Sequence, residues 1–331
     1  MEEKVNYRMM IGATLVAFFA LLAGCGDKPD ASASARPSQS AAEQQQIEKY
    51  NLYVDVANSL TTSFQEAREN YLTQQMPLLQ GKEAQTSMRI ENDILVDRSA
   101  TNLDTAAAID TPIVEIDAAA KDFSASLKVL SPLSHELNNY ANSKGYLADN
   151  GDKARQLSKD YLGALTLVAQ KEAAFYKGLS DRDQALTKEA FDKAPKDTAA
   201  YYRAGLIYFG KVNNADANVL FAAPNDPTAL DAFEKSLAQV ADAAAGWNKK
   251  ITEQSAKSGK SCSGGMLEIN EFIGQSRSMI KDIKDGVFKR EETGLMAKMP
   301  AHMRSSNIVN SANRYNRNYS NVINRFNHPM C

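Results

Sequence analysis

The sequence predicts an all-α protein, an elongated antiparallel helical bundle behind a disordered N-terminal tether. Three observations carry this expectation. Apolar residues recur at steps of three and four over long stretches, which places them on one face of a helix. Only 17 Gly and 10 Pro occur in 331 residues, too few for a turn-rich β architecture. Strand-like alternation is nowhere sustained, and its nearest approach is the short Ile94-Leu95-Val96.

Four stripes define the strongest helices. The first runs through Ile47, Tyr50, Val54, Ala57, Leu60, Phe64, Ala67 and Tyr71. The second takes Ala120, Phe123, Leu127, Leu130, Leu137 and Ala141, with Pro132 inside it expected to kink or split the helix. The third follows Asp226-Pro227, an N-cap acid with proline at the first helical position, and takes Leu230, Phe233, Leu237, Val240, Ala244, Trp247 and Ile251. The last takes Ile308, Ala312, Tyr315, Tyr319, Val322 and Phe326. Weaker helices are expected over 153–193, 198–212 and 266–290, with stops at Asn150-Gly151 and Ala194-Pro195. Residues 76–112 read as one short helix and loops.

The N-terminus carries a different message. Lys4 and Arg8 precede an apolar run from Met9 to Ala23, the length of a signal-peptide core and short of the ~20 residues of a spanning helix. The run ends in Leu22-Ala23-Gly24-Cys25, which resembles the lipobox of bacterial lipoproteins. That resemblance implies cleavage after residue 24 and lipid on the Cys25 thiol. Residues 26–46 (GDKPDASASARPSQSAAEQQQ) hold no large apolar side chain and cannot offset their conformational entropy by burial. The chain thus divides into a signal peptide at 1–24, a lipid-anchored tether at 25–45 and a helical body at 46–331. Gly26 after the cysteine implies the outer membrane, and Asp27 one place later keeps the inner membrane in play.

Charge and motifs narrow the function classes. The net charge is −2, and it is unchanged by loss of Glu2, Glu3, Lys4 and Arg8, so nothing marks a nucleic-acid partner. Neither His135 nor His302 has His or Cys three or four residues on, and His328 has only Cys331, the cysteine expected in a disulfide. The His-x-x-Glu pair of imelysin-type iron proteins is missing, and no metal or cofactor is expected. There is no P-loop, no dinucleotide glycine fingerprint, no haem-attachment motif and no nucleophile elbow, so no catalytic residue is assigned. With Cys25 acylated, Cys262 in a Gly/Ser-rich loop and Cys331 at the end remain, and export favours a disulfide between them. The closing helix is rich in asparagine, a mediocre helix former, and its Tyr315, Asn316 and Tyr319 are the candidate binding face for a polar polymer. The competing reading makes the same amides a solvated face with interhelical hydrogen bonds.

Tyr50-Asn51-x-Tyr53-Val54 in the first helix, with Tyr315-Asn316 and Val322-Ile323-Asn324-Arg325-Phe326-Asn327 in the last, resembles the YiiG family of bacterial lipoproteins, whose domain has no assigned function. The likeness implies a helical envelope lipoprotein and carries over no catalytic residue. The expectation is therefore a periplasm-facing, non-enzymatic binding or scaffolding module. Its partners would be the membrane, through the anchor, and another envelope protein or peptidoglycan. An enzyme acting on envelope polymers and a small-ligand-binding bundle are the alternatives.

Overall fold

Ser40 starts the first helix. Its hydroxyl accepts from the Glu43 N–H at 3.2 Å while the Glu43 carboxylate accepts from the Ser40 N–H at 2.8 Å, a reciprocal capping box. In this computed structural model the described residues are 40–81, 87–90, 93–259, 262, 264–289 and 307–327. The expected signal peptide, Cys25, most of the expected tether, His302, His328 and Cys331 lie outside them. The tether was expected to reach residue 45, but the capping box begins the helix at Ala41.

All regular structure among the described residues is helical, a helical bundle as expected. Helix α1 spans Ala41–Ser59, α2 Phe64–Asn70, α3 Met76–Leu79, α4 Asp93–Ala107, α5 Asp117–Asn142 and α6 Tyr146–Asp149. Then come α7 Asp152–Lys193, α8 Ala199–Ala222, α9 Pro227–Ser258, α10 Met266–Lys284 and α11 Asn307–Phe326. The first stripe is interrupted between Ser59 and Phe64, where Ser63 caps a new helix by accepting from the Glu66 N–H. That new helix passes through a π-helical turn at Tyr71–Gln75 into α3. Pro132 does not split α5, which runs unbroken to Asn142. Between residues 76 and 112, α4 supplies the longer helix, and its Val96, Ala100 and Leu103 are buried.

The chain forms two units dividing between Arg182 and Asp183, within α7. In the N-terminal unit Phe123 packs edge-on to Phe64 and tilted against Phe175, while Tyr53 meets Phe175 edge-on. Each fully buried ring of this kind contributes roughly 1.5–3 kcal/mol.

In the C-terminal unit α8 packs along α9 across the short link Ala223–Asp226, so the two run antiparallel. Asp226 caps α9 by accepting from the Thr228 N–H at 2.8 Å, with Pro227 at the first position as the sequence required. Gly246 is what lets the helices approach: a Cβ there would lie 2.1 Å from the Tyr202 ring. α10 and α11 close the unit over Phe233, Leu237, Trp247 and Phe272. No helix among the described residues is long and apolar enough to cross a membrane.

Candidate functional site

The stripe of α11 decides where its tyrosines go. Tyr315 and Tyr319 stand on the same side as Ala312, Val322 and Phe326, and all five are buried. Their exposures are 1 % and 2 %, which overturns the expectation of a solvent-facing binding surface at these positions. The two rings lie nearly parallel, 8° apart with centroids at 6.3 Å, and both pack against Phe272. Asn316, a residue further round the helix, is half-buried. Hydrophobic burial of a tyrosine stripe outweighs any ligand role its hydroxyls suggest from sequence.

Beneath α11 lies a polar cluster. The Tyr315 hydroxyl donates to Asn213 Oδ1 at 2.9 Å, and the Asn213 amide donates to the Phe233 carbonyl at 3.2 Å and to Ser236 Oγ at 3.0 Å. The Asn213 side chain thus uses its acceptor and its donors, as a fully buried amide must. On another face of α8, Lys211 Nζ donates to Asp183 Oδ2, with both side chains under a tenth exposed. Tyr319 passes close to Gly210 beside this pair, where a Cβ would be 3.6 Å from its ring. Its hydroxyl and Asp183 Oδ1 have no hydrogen-bond partner among the described residues.

Burial sets the electrostatics. Desolvation pushes the Tyr315 and Tyr319 hydroxyls well above the ordinary phenol value, and the negative charge of Asp183 adds to the shift at Tyr319. Desolvation also raises the Asp183 carboxyl and lowers the Lys211 ammonium, each opposed by its partner's charge. Neither group is exposed enough to meet a substrate arriving from solvent.

Sequence reading missed this pair. Lys211 had a signal, since it sits inside the apolar run Ala204–Val212, where a charge needs an explanation. Asp183 had none, because it stands beside the charged residues Asp181 and Arg182, in a segment that goes on to Lys188 and Glu189.

Other flagged residues fall elsewhere. His135 is 46 % exposed and pairs through Nε2 with Asp97 Oδ2 at 2.7 Å. Among the described residues no group of His, Cys, Asp and Glu is arranged to hold a metal ion. Cys262 is disulfide-bonded, and Cys331 lies outside the described residues. The loop carrying Cys262 is pinned by the Trp247 indole, which donates to the Gly264 carbonyl at 2.8 Å. Gly264 takes φ +55°, where a side chain would be strained and a Cβ would strike Ile251.

The family described as a protein of unknown function, DUF3829, matches residues 44–328. The chain belongs to the DUF3829 family. The match begins inside α1 and ends just past α11, so it covers the helices of both units of this DUF3829 member from residue 44 onward. Comparison with curated proteins and with solved structures gives no match.

Proposed function

We propose that this DUF3829 protein is a lipid-anchored protein of the bacterial envelope whose helical body faces the periplasm as a non-enzymatic binding or scaffolding module. One observation carries the reading: an apolar run that stops at Leu22-Ala23-Gly24-Cys25 and gives way at once to a polar segment. A thiol at that position is the group on which a diacylglycerol forms a thioether, and the small residues before it suit an extended chain in a peptidase groove. The likeness to the YiiG lipoproteins points the same way. Export also accounts for Cys262 being disulfide-bonded, with Cys331 the thiol left over once Cys25 is acylated. The body supports binding over catalysis, because its most perturbed ionisable groups are enclosed in helix packing. Gly26 after the cysteine favours the outer membrane.

Metabolic labelling with a radioactive fatty acid tests this. The wild-type chain should carry label and fractionate with membranes, and Cys25→Ser should carry none and lose the membrane association. Blocking the lipoprotein signal peptidase with globomycin should accumulate a precursor retaining residues 1–24. Equal labelling of the serine variant, or a mature-length serine variant still bound to membranes, refutes the anchor.

A further inference from the structure

The outer side of α11 has a chemistry that its inner side does not explain. Asn307, Asn310, Arg314, Arg317, Asn321 and Asn324 are all exposed and step by three and four along the helix. At 1.5 Å per residue this is a strip about 25 Å long. It contains no acid; indeed the last acid of the chain is Glu292, although the whole sequence holds 40. Neither Arg314 nor Arg317 makes an ion pair or a side-chain hydrogen bond among the described residues. Elsewhere on the surface exposed lysines find carboxylates one turn away, as Lys177 does with Asp181 and Lys235 with Asp231.

Solvation alone does not call for this composition. Asparagine costs about 0.5 kcal/mol or more relative to alanine at each helical position, whereas lysine, glutamate or glutamine would meet water at less cost. What asparagine and arginine share is planar hydrogen bonding. An asparagine amide offers donors and an acceptor side by side, matching the edge of a secondary amide. A guanidinium matches a carboxylate with two parallel bonds.

We propose that this face of α11 recognises a polymer carrying both secondary amides and free carboxylates, the chemistry of the peptidoglycan stem peptide. Charge complementarity selects the occupant: an acid-free Arg/Asn strip on a net-negative chain attracts an anion, and its amides suit a peptide. A lipid surface is the poorer fit, because an adsorbing helix presents large apolar side chains at its boundary and this strip presents none. The proposal rests on the envelope reading only for where such a polymer is encountered.

The test is co-sedimentation of the full chain, purified in mild detergent, with isolated peptidoglycan sacculi. Wild type should pellet with sacculi and lose binding to sacculi whose carboxyls have been amidated. The charge reversal R314E/R317E should weaken binding about tenfold or more, the effect of losing even one of the two charge-assisted contacts. Its melting temperature should stay that of the wild type, both side chains being exposed, and R314Q/R317Q provides the milder variant. Wild type that fails to pellet, variants that pellet equally, or undiminished binding to amidated sacculi overturns the proposal. Vesicle binding that needs anionic phospholipid and is lost in R314E/R317E, in place of sacculus binding, overturns it in favour of a membrane surface. Fatty-acid labelling of the same preparation separates the two readings. Label without sacculus binding sinks only this face, and binding without label sinks only the anchor.

Discussion

The N-terminal and C-terminal units bury similar polar residues and use them differently. In the N-terminal unit they close helix ends. Asp117, at the start of α5, accepts from Lys49 Nζ, from the Tyr53 hydroxyl and from the Ile113 N–H, each at 2.9 Å. Lys49 also donates to the Thr111 carbonyl at 3.0 Å, so the loop before α5 is held from both sides. The Glu172 carboxylate accepts from the Phe64 N–H at 2.8 Å, satisfying a donor at the start of α2 that has no partner within its own helix. Burial and the nearby Asp117 push the Tyr53 hydroxyl far up, so it stays a donor at any ordinary pH. In the C-terminal unit the buried charges join two helices side chain to side chain, Asp183 to Lys211, away from any helix end. The first arrangement offsets the cost of burial by satisfying backbone that must be satisfied anyway. The second has no such return, and its use is to fix which faces of α7 and α8 meet.

That contrast breaks most visibly at Asp183. Asp183→Ala removes the carboxylate partner of a buried lysine and should cost about 3–5 kcal/mol in denaturant unfolding. The double replacement D183L/K211M should restore stability to the wild-type level or exceed it by about 1–4 kcal/mol, because the pair's desolvation is removed with it. If the double variant is as unstable as the single one, the pair contributes net stability and the contrast fails.

The tyrosines of α11 sharpen the same point within one unit. Tyr315→Phe strands Asn213 Oδ1 in the core and should cost about 1–3 kcal/mol. Tyr319→Phe removes a buried hydroxyl with no partner among the described residues and should change stability by under about 0.5 kcal/mol or raise it. Equal losses in the two variants would show that the Tyr319 hydroxyl is satisfied in solution.

The smallest effect belongs to the surface of the N-terminal unit. Hydrogen bonds from Ser131, then from His135, hold the Asp97 carboxyl below its ordinary value. A depressed carboxyl stabilises the fold above its unfolded-state value and loses that contribution as pH falls through the folded one. Asp97 is 56 % exposed, so the contribution is under about 1 kcal/mol. Melting of wild type and Asp97→Asn should differ slightly at neutral pH and converge as pH drops below about 4. A gap that persists in acid shows that the effect of the variant lies in packing.

Much of the bundle was legible beforehand for a simple reason. Asp226-Pro227 begins α9 and Ala194-Pro195 follows the end of α7, because capping and the missing proline N–H act within a few residues. Pro132 misled for the complementary reason: a proline inside a helix costs one hydrogen bond, and the buried Leu127, Leu130 and Leu137 around it hold α5 together. The capping box at Ser40 and Glu43 was readable and lay hidden in a stretch judged by composition alone.

What the sequence by itself determined is periodicity, caps and the Cys25 motif, all of them local properties of neighbouring residues. It also showed that Tyr315 and Tyr319 share a face. Only the tertiary structure decided that this face turns inward, that Lys211 finds Asp183 from another helix, and that Arg314 and Arg317 stay exposed. Which side of a helix is buried, and which distant charge meets a buried one, depends on how helices remote in sequence pack, and no local pattern encodes that.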